Sequence, residues 1–154
     1  MNQNLFKPRD PNFESRVRES FVAQSAMATL GFELARVEAG QVEIQFSHRD
    51  DLTQQHGFMH GGIIATAADN ACGFSALTLM SSDKAVLSVE FKINFMAPAR
   101  GDRFRAVARV VKSGATLTIC NGEVLAINEE KETPVALVQA TLISLDSKRA
   151  GIQN

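Results

Sequence analysis

An aspartate in the middle of a long apolar segment is the residue most able to do chemistry in this chain. Asp69 has small or apolar neighbours on the adjacent turns of a predicted helix, namely Ala65, Ala68, Cys72 and Gly73. Burying an ionised carboxylate among such side chains is costly unless the carboxylate is paired or hydrogen-bonded. Asp69 therefore indicates either a polar stripe where the helix reaches the surface, or a carboxylate that faces a cleft or a subunit interface.

The same segment begins with His60, Gly61 and Gly62. Two glycines leave the backbone uncovered, and the first N–H groups of a helix have no partners within the helix. These groups and the positive end of the helix dipole suit an oxygen that gains negative charge, although the pair also fits a simple tight turn. Together with Asp69, the pattern predicts acyl transfer. A thioester carbonyl oxygen would rest on the Gly61 or Gly62 N–H while the carboxylate activates a water or attacks the carbonyl.

The spacing of these groups favours a site shared between subunits. Asp69 lies about 12 Å along the helix axis from Gly61, because each residue of a helix rises about 1.5 Å. One subunit cannot easily bring both groups to a single carbonyl. A symmetric dimer with paired helices can combine the helix start of one subunit with Asp69 of the other. The expected assembly is a homodimer, or a homotetramer built from two dimers.

One long helix, one shorter helix and a sheet must position these groups. Residues 60–80 are apolar on nearly all sides and rich in small side chains, which predicts a buried helix. Residues 12–29 predict an amphipathic capping helix that Gly31 ends. Period-two alternation or β-branched runs predict strands at residues 32–37, 42–46, 86–96, 102–111, 116–125 and 135–145.

The order of these elements predicts the fold. The last four strands follow one another without intervening helices, so the sheet should be mainly antiparallel and end in a four-stranded meander. A curled antiparallel β-sheet wrapped around a long central α-helix is the hotdog fold, of the α+β class. We therefore predict one hotdog domain over residues 1–154, with the N-terminal capping helix at about 12–29 and the hotdog core at about 31–146.

Composition argues against several other classes of protein. The chain is 45% hydrophobic and 21% charged with a formal net charge of −1, so no overall field attracts nucleic acid or a membrane. Cys72 and Cys120 lack CxxC spacing, which argues against a zinc cluster or a disulfide framework. Residues 1–14 lack the apolar core of a signal peptide, and no apolar stretch approaches the roughly 20 residues that span a bilayer. The expected location is the cytoplasm.

Five short segments carry motifs of one enzyme family. They are residues 54–62 (QQHGFMHGG), 68–73 (ADNACG), 88–102, 110–114 and 140–142, and the similarity spans about residues 31–145. These segments resemble the PaaI-like hotdog acyl-CoA thioesterases, and the HGG element with an acid on the same helix is the most specific part. The resemblance implies hydrolysis of an acyl-CoA thioester to a free acid and CoA. It implies no cofactor, because CoA is part of the substrate.

The resemblance also implies a role for each matching residue. Asp69 matches the catalytic carboxylate, and Gly61 matches the backbone donor that polarises the thioester carbonyl. Gln54 matches an amide that lines the site near the thioester, with Gln55 as the alternative if the register shifts by one. Ser88 matches a hydroxyl that helps to place the attacking water. We expect further substrate contacts from Phe58, Met59, His60, Gly62 and Asn70.

Histidine often serves as a general base or a metal ligand, but neither role is favoured here. In the resemblance His60 fixes the turn that enters the helix. A metal site at His56, His60, Asp69 and Cys72 is disfavoured, because HxxxH spacing aligns two ligands only on a helix and Gly57 places this stretch in a loop. We therefore predict no metal site.

The sequence says less about what the site binds. Part of the acyl pocket is expected from flexible and apolar side chains that slightly favour a medium or long aliphatic chain over an aromatic group, namely Phe58, Met59, Phe74, Leu77 and Met80. Basic residues around two turns predict either a phosphate-binding patch for CoA or a solvated sheet edge; they are Lys92, Arg100, Arg103, Arg105 and Lys112.

Two other functions are compatible with a hotdog fold. The first is an acyl thioester dehydratase or hydratase, which pairs a histidine with a carboxylate around a proline-rich turn. Nothing similar surrounds His56 or His60. The second is a non-catalytic module that binds acyl-CoA, which would usually carry an added DNA-binding segment. This chain has no basic helix that would serve as one.

Overall fold

The computed structural model describes residues 6–152, which form three α-helices, six strands and a short 3-10 turn at Asp50–Leu52. The helices are α1 (Phe13–Ala23), α2 (Ser25–Leu30) and α3 (Gly61–Leu77). The strands are β1 (Glu33–Glu38), β2 (Gln41–Ser47), β3 (Lys84–Phe95), β4 (Arg103–Ser113), β5 (Leu117–Asn128) and β6 (Lys131–Asp146). The ends of the predicted domain, residues 1–5 and 153–154, lie outside the described residues. A curled antiparallel sheet packs around α3, so the predicted hotdog fold is confirmed.

The six strands are ordered β1-β2-β4-β5-β6-β3, and every neighbouring pair is antiparallel. The predicted four-stranded meander is wrong, because β3 pairs with β6 at one edge of the sheet while β4 pairs with β2. Helix α3 causes this difference. It packs against β2, β4, β5, β6 and β3 as it crosses the sheet, and so carries the chain from β2 to the opposite edge.

Helix α3 lies close against the sheet because its inner face carries small side chains. Ala71 and Cys72 are fully buried there. A Cβ added to Gly122 of β5 would lie 2.9 Å from Cγ1 of Val138 and 3.4 Å from Sγ of Cys72, so only glycine fits where the helix approaches. The outer face of α3 is only partly covered, and this is the face that carries Asp69.

The single N-terminal helix predicted at residues 12–29 is instead two helices. They are separated at Gln24, whose backbone is extended (φ −79°, ψ 101°). Phe21 and Met27 are both buried, yet in one continuous helix they would point about 120° apart. The break lets both side chains face the core. Gly31 ends α2 in the left-handed conformation (φ 69°), as the sequence predicts.

Strand β3 forms an edge of the sheet and exposes large apolar side chains. Leu87, Val89, Phe91 and Phe95 are between 40% and 56% exposed. An edge strand of this kind offers unpaired backbone groups and apolar surface to another chain. The strand also packs beside α3, so this exposed region adjoins the partly covered face of the helix.

Candidate active site

Asp69 lies on a partly exposed stripe of α3 that also carries Gly62, Thr66 and Asn70. Two side chains on this stripe turn back onto the helix. Thr66 Oγ1 donates to the Gly62 carbonyl at 2.8 Å, and Asn70 Nδ2 donates to the Thr66 carbonyl at 3.2 Å. The Asp69 carboxylate instead reaches across to strand β3.

The partner of Asp69 on β3 is Ser88, whose Oγ donates to Asp69 Oδ1 at 2.7 Å. An irregularity in the strand accompanies this contact. The β3–β6 ladder shifts register between Ser88 and Glu90, which leaves Val89 without a paired residue. A β-bulge of this kind re-aims a side chain and is common beside active sites. The structure thus brings together, within one protomer, two of the residues predicted to be catalytic.

Gly61 is the first residue of α3, and its N–H has no acceptor among the described residues. Glycine fits here because a Cβ would lie only 3.1 Å from Cζ of the Phe95 ring on β3. The next N–H is occupied, because Gly62 donates to Nδ1 of His60 at 2.9 Å. His60 is therefore the N-cap of α3, and a neutral ring in this arrangement carries its proton on Nε2. Of the two N–H groups predicted to hold the oxyanion, that of Gly61 is the free one.

Gln54 lies in the loop that leads into α3, and its side chain closes that loop. The side-chain Oε1 of Gln54 accepts a hydrogen bond from the backbone N–H of His56. The backbone N–H of Gln54 donates to the Phe58 carbonyl at 2.9 Å. Gly57, with φ of 81°, makes the turn and donates its N–H to the Gln54 carbonyl at 3.0 Å. No hydrogen bond within residues 6–152 joins Gln54 to Asp69, so the catalytic role of Gln54 stays a prediction.

The residues predicted to contact substrate occupy different environments. Met59 is 2% exposed and packs in the hydrophobic core, away from the cleft at Asp69. Phe58 is half-buried, with the guanidinium of Arg100 stacked 5.0 Å from its ring centroid. Asn70 lines the cleft beside the carboxylate. The structure therefore supports a place in the cleft for Asn70 and not for Met59.

The carboxylate of Asp69 faces a cleft of about 220 Å³ between α3 and β3. It is lined by Gln24, Asp69, Asn70, Gly73, Phe74, Val86, Leu87 and Ser88. Of the five side chains expected to build the acyl pocket, Phe74 is the one that lies there, and Met59, Leu77 and Met80 are core residues no more than 5% exposed. Gln24 and Gly73 are additional lining residues that the sequence does not point to. Nothing in the pattern of residues 12–29 marks the helix break that brings Gln24 to the cleft.

A larger cavity of about 420 Å³ lies elsewhere, along β1, β2 and β4, but its charge does not suit CoA phosphates. Two of the basic residues predicted for a phosphate patch, Arg103 and Arg105, line it together with four glutamates, namely Glu33, Glu129, Glu130 and Glu132. Arg105 Nη2 pairs with Glu132 Oε1 at 2.6 Å. This cavity is a surface of paired charges with an excess of carboxylates, so the Asp69 cleft is the better candidate for the site.

The thiols near the site are not poised as nucleophiles. Burial raises the pKa of both Cys72 and Cys120, that of Cys120 to about 12, so both stay protonated at neutral pH. Within the described residues, no three His, Cys, Asp or Glu side chains group closely enough to hold a metal ion. None of the helices in that part of the chain combines the length and apolar character needed to span a bilayer.

This hotdog fold carries a carboxylate–hydroxyl pair between its central helix and its edge strand, and comparison with known proteins identifies its family. Residues 56–133, about half of the chain, match the family model described as the thioesterase superfamily. The chain belongs to the thioesterase superfamily and is a thioester hydrolase.

Individual relatives agree with this assignment. A thioesterase family protein from Silicibacter pomeroyi is 45% identical, with a TM-score of 0.86 over 87% of this chain and 98% of that protein. The medium/long-chain acyl-CoA thioesterase YigI of Escherichia coli K12 is 26% identical over 73% of this chain and 80% of its own length. The E. coli PaaI protein shares the fold, with a TM-score of 0.78 over 87% of this chain and 94% of that protein at 18% identity. The resemblance to PaaI-like hotdog thioesterases is confirmed.

Proposed function

We propose that this protein hydrolyses an acyl-CoA thioester to a free acid and CoA, with Asp69 as the catalytic carboxylate. The observation that carries the proposal is the hydrogen bond of 2.7 Å between Asp69 and Ser88, which both line the cleft. The similarity to YigI, which is named an acyl-CoA thioesterase, supports CoA as the thiol. The reaction needs no cofactor, because CoA belongs to the substrate.

In the proposed reaction Asp69 and Ser88 of the cleft act on one carbonyl together with a Gly61 N–H. Ser88 holds one carboxylate oxygen of Asp69, and the other takes a proton from a water as the water oxygen attacks the thioester carbon. The carbonyl oxygen gains negative charge and is stabilised by the Gly61 N–H. The tetrahedral intermediate then breaks its C–S bond, and the CoA thiolate takes up the proton held by Asp69. Direct attack by the carboxylate through an anhydride would use the same groups and give the same products.

The proposed site is shared between two subunits. Gly61 and Asp69 are eight residues apart on α3, which corresponds to about 12 Å along the axis. The exposed apolar side chains of β3, such as Phe91 and Phe95, adjoin α3 and offer a surface for a second copy of the chain. In the proposed homodimer, or in each dimer of a homotetramer, Gly61 of one subunit acts with Asp69 of its partner.

The proposed location is the cytoplasm, in keeping with two thiols that are free. Cys120 Sγ lies 3.5 Å from the Cys72 carbonyl oxygen, yet the two cysteines do not form a disulfide. Free thiols are typical of reducing compartments. The proposed partners are the acyl-CoA substrate and further copies of the chain, without nucleic acid or membrane.

The test of this function is thiol release from a panel of acyl-CoAs by the wild-type protein and by Asp69→Asn. The amide is nearly isosteric but neither basic nor nucleophilic, so kcat should fall at least about 100-fold. Asp51→Asn is a matched control, because Asp51 is an exposed carboxylate of the short 3-10 turn and pairs with Arg49.

The outcomes separate the proposal from its rivals. Near-normal kcat in Asp69→Asn would contradict the assignment of the catalytic carboxylate. Wild-type protein that binds acyl-CoA without releasing thiol would indicate a binding module. Addition of water to an enoyl-CoA without release of CoA would indicate a hydratase.

A further inference from the structure

The ring of Phe95 fills the space beside Gly61 in which any other residue would carry its side chain. A Cβ built on Gly61 would lie 3.1 Å from Cζ and 3.3 Å from Cε1 of this ring, and its three nearest atoms all belong to Phe95. Phe95 is nevertheless 56% exposed. The ring therefore contributes little to the hydrophobic core, and its closest fit is with the first residue of α3.

The peptide unit between His60 and Gly61 carries the N–H that is proposed to hold the oxyanion. Its carbonyl, that of His60, accepts hydrogen bonds from the N–H groups of Ile63 and Ile64 at 2.9 and 3.2 Å. The C=O and N–H of a trans peptide point in opposite directions, so the Gly61 N–H points out of the helix start. Hydrogen bonds thus restrain this unit from the helix side, and the ring of Phe95 lies on the side of the Gly61 α-carbon.

The backbone that carries Phe95 is itself held in place. Phe95 pairs with the fully buried Ala136 in the β3–β6 ladder, and the residue after Phe95 donates its N–H to the Val135 carbonyl at 2.9 Å. The N–H of Met59 donates to the Ala99 carbonyl at 3.0 Å, which joins the segment before α3 to the segment after β3. The end of β3 is therefore a fixed base from which the ring contacts the helix start.

We propose that Phe95 is a positioning residue that acts through the N–H of Gly61, an inference that rests on the proposed function. Glycine has more backbone freedom than any other residue, and the ends of helices fray. An oxyanion donor is effective when its direction is fixed before the reaction, and a small misplacement costs much of the rate. The ring takes the place of the missing side chain and restricts the backbone of Gly61.

Phe95→Leu tests this role, because it removes the tip of the ring and keeps an apolar side chain. The kcat should fall about tenfold, while KM should change by less than about twofold. Because Phe95 is more than half exposed, the Tm should stay within about 3 °C of the wild type. Phe91→Leu is the matched control on the same strand, where the ring is 40% exposed, and it should keep kcat within about twofold.

A double variant separates an effect through the N–H from any other effect. Gly61→Pro removes the N–H, so Phe95 has no donor left to position. Adding Phe95→Leu to Gly61→Pro should therefore change the kcat of Gly61→Pro by less than about twofold. A further loss of about tenfold would show that Phe95 acts on another group. A gain would assign the loss in Gly61→Pro to crowding by the ring rather than to the missing N–H. Either result would overturn the positioning role.

The role would also be overturned if Phe95→Leu kept the wild-type kcat. A kcat that returned to the wild-type value as the protein concentration was raised would overturn it too, because Phe95 would then act only by joining subunits. Wild-type protein that releases thiol from no acyl-CoA would instead contradict the proposed function itself. An active wild type with an equally active Phe95→Leu variant would contradict this inference alone.

Discussion

The two ends of helix α3 differ in how their backbone groups are satisfied. At the C-terminal end, Arg16 Nη2 donates to the carbonyls of Leu77 and Met80 at 3.1 and 3.3 Å. The same guanidinium pairs with the buried Asp10 at 3.1 Å. At the N-terminal end, the Gly61 N–H has no acceptor among the described residues.

This difference separates a structural end of the helix from a functional one. The carbonyls at the C-terminal end are bonded by a side chain from α1, which stabilises the packing of α1 on α3. The N-terminal end, called here the open end, leaves an N–H group and the positive pole of the helix dipole for a ligand with negative charge. Substitutions at this open end should therefore change activity more than stability. Substitutions at the C-terminal, closed end should change stability more than activity.

Among substitutions at the two ends of α3, the largest effect on the rate is expected for Gly61→Pro, which removes the free N–H. Proline suits the first position of a helix, and His60 has the extended conformation (φ −62°, ψ 135°) that precedes proline. The variant should fold with a Tm near that of the wild type and lose about 100-fold in kcat, or about 3 kcal/mol. Thiol release and thermal unfolding measure the two quantities.

Gly61→Ala is the matched control, because it adds a Cβ near Phe95 but keeps the N–H. Its loss of kcat should be much smaller than that of Gly61→Pro. Equal losses in the two variants would assign the effect to crowding of the Phe95 ring and move the oxyanion site elsewhere.

At the closed end, Arg16→Met should lower the free energy of unfolding by about 3 kcal/mol, because it leaves Asp10 buried without its partner. Arg16 and Asp10 have side chains only 15% and 6% exposed. The kcat should stay unchanged, because Arg16 contacts the C-terminal end of α3 and does not line the cleft at Asp69. Denaturant unfolding and thiol release together check both statements.

Arg18→Met provides the comparison on the same helix. Arg18 pairs with Glu14 at 2.9 Å, but both side chains are exposed, so its loss should cost less than about 1 kcal/mol. If Arg16→Met and Arg18→Met lowered the free energy of unfolding by similar amounts, the contacts of Arg16 at the closed end of α3 would stabilise the fold no more than an exposed ion pair does.

A smaller effect on the rate than that of Gly61→Pro is expected for Ser88→Ala, which removes the hydrogen bond to Asp69 but leaves the carboxylate in place. We expect kcat to fall about tenfold, or about 1.4 kcal/mol, because Ser88 acts by positioning Asp69. The KM should change little. Ser88→Thr keeps a hydroxyl and should restore most of the rate, whereas a threonine variant as slow as the alanine variant would argue against this role.

Some elements could be predicted from the sequence because their signals are local and long. The apolar segment that becomes α3 and the alternation in the strands repeat over many residues. The pairing of β3 with β6 could not be predicted in this way, because α3 determines it by carrying the chain across the sheet. The helix break at Gln24 could not be predicted from the sequence either, because it depends on where the core lies relative to Phe21 and Met27.

The same distinction applies to the candidate site. Asp69 and Gly61 are visible as local anomalies, a carboxylate within an apolar helix and a glycine pair at a helix start. Ser88 could be predicted only through the family resemblance. Its contact with Asp69 accompanies a β-bulge, and no residue type in β3 predicts that bulge. Gln24 comes from an element outside the residues that match the family model.

The most direct test of the shared site is whether Gly61 of one subunit acts with Asp69 of another. Asp69→Asn and Gly61→Pro, each inactive alone, are unfolded together and refolded. About half of the dimers should then be mixed, and each mixed dimer should hold one site with both defects and one with neither. Thiol release should return to roughly a quarter of the wild-type rate. No recovery with mixed dimers confirmed would contradict the shared site, because every site would then keep one of the two defects.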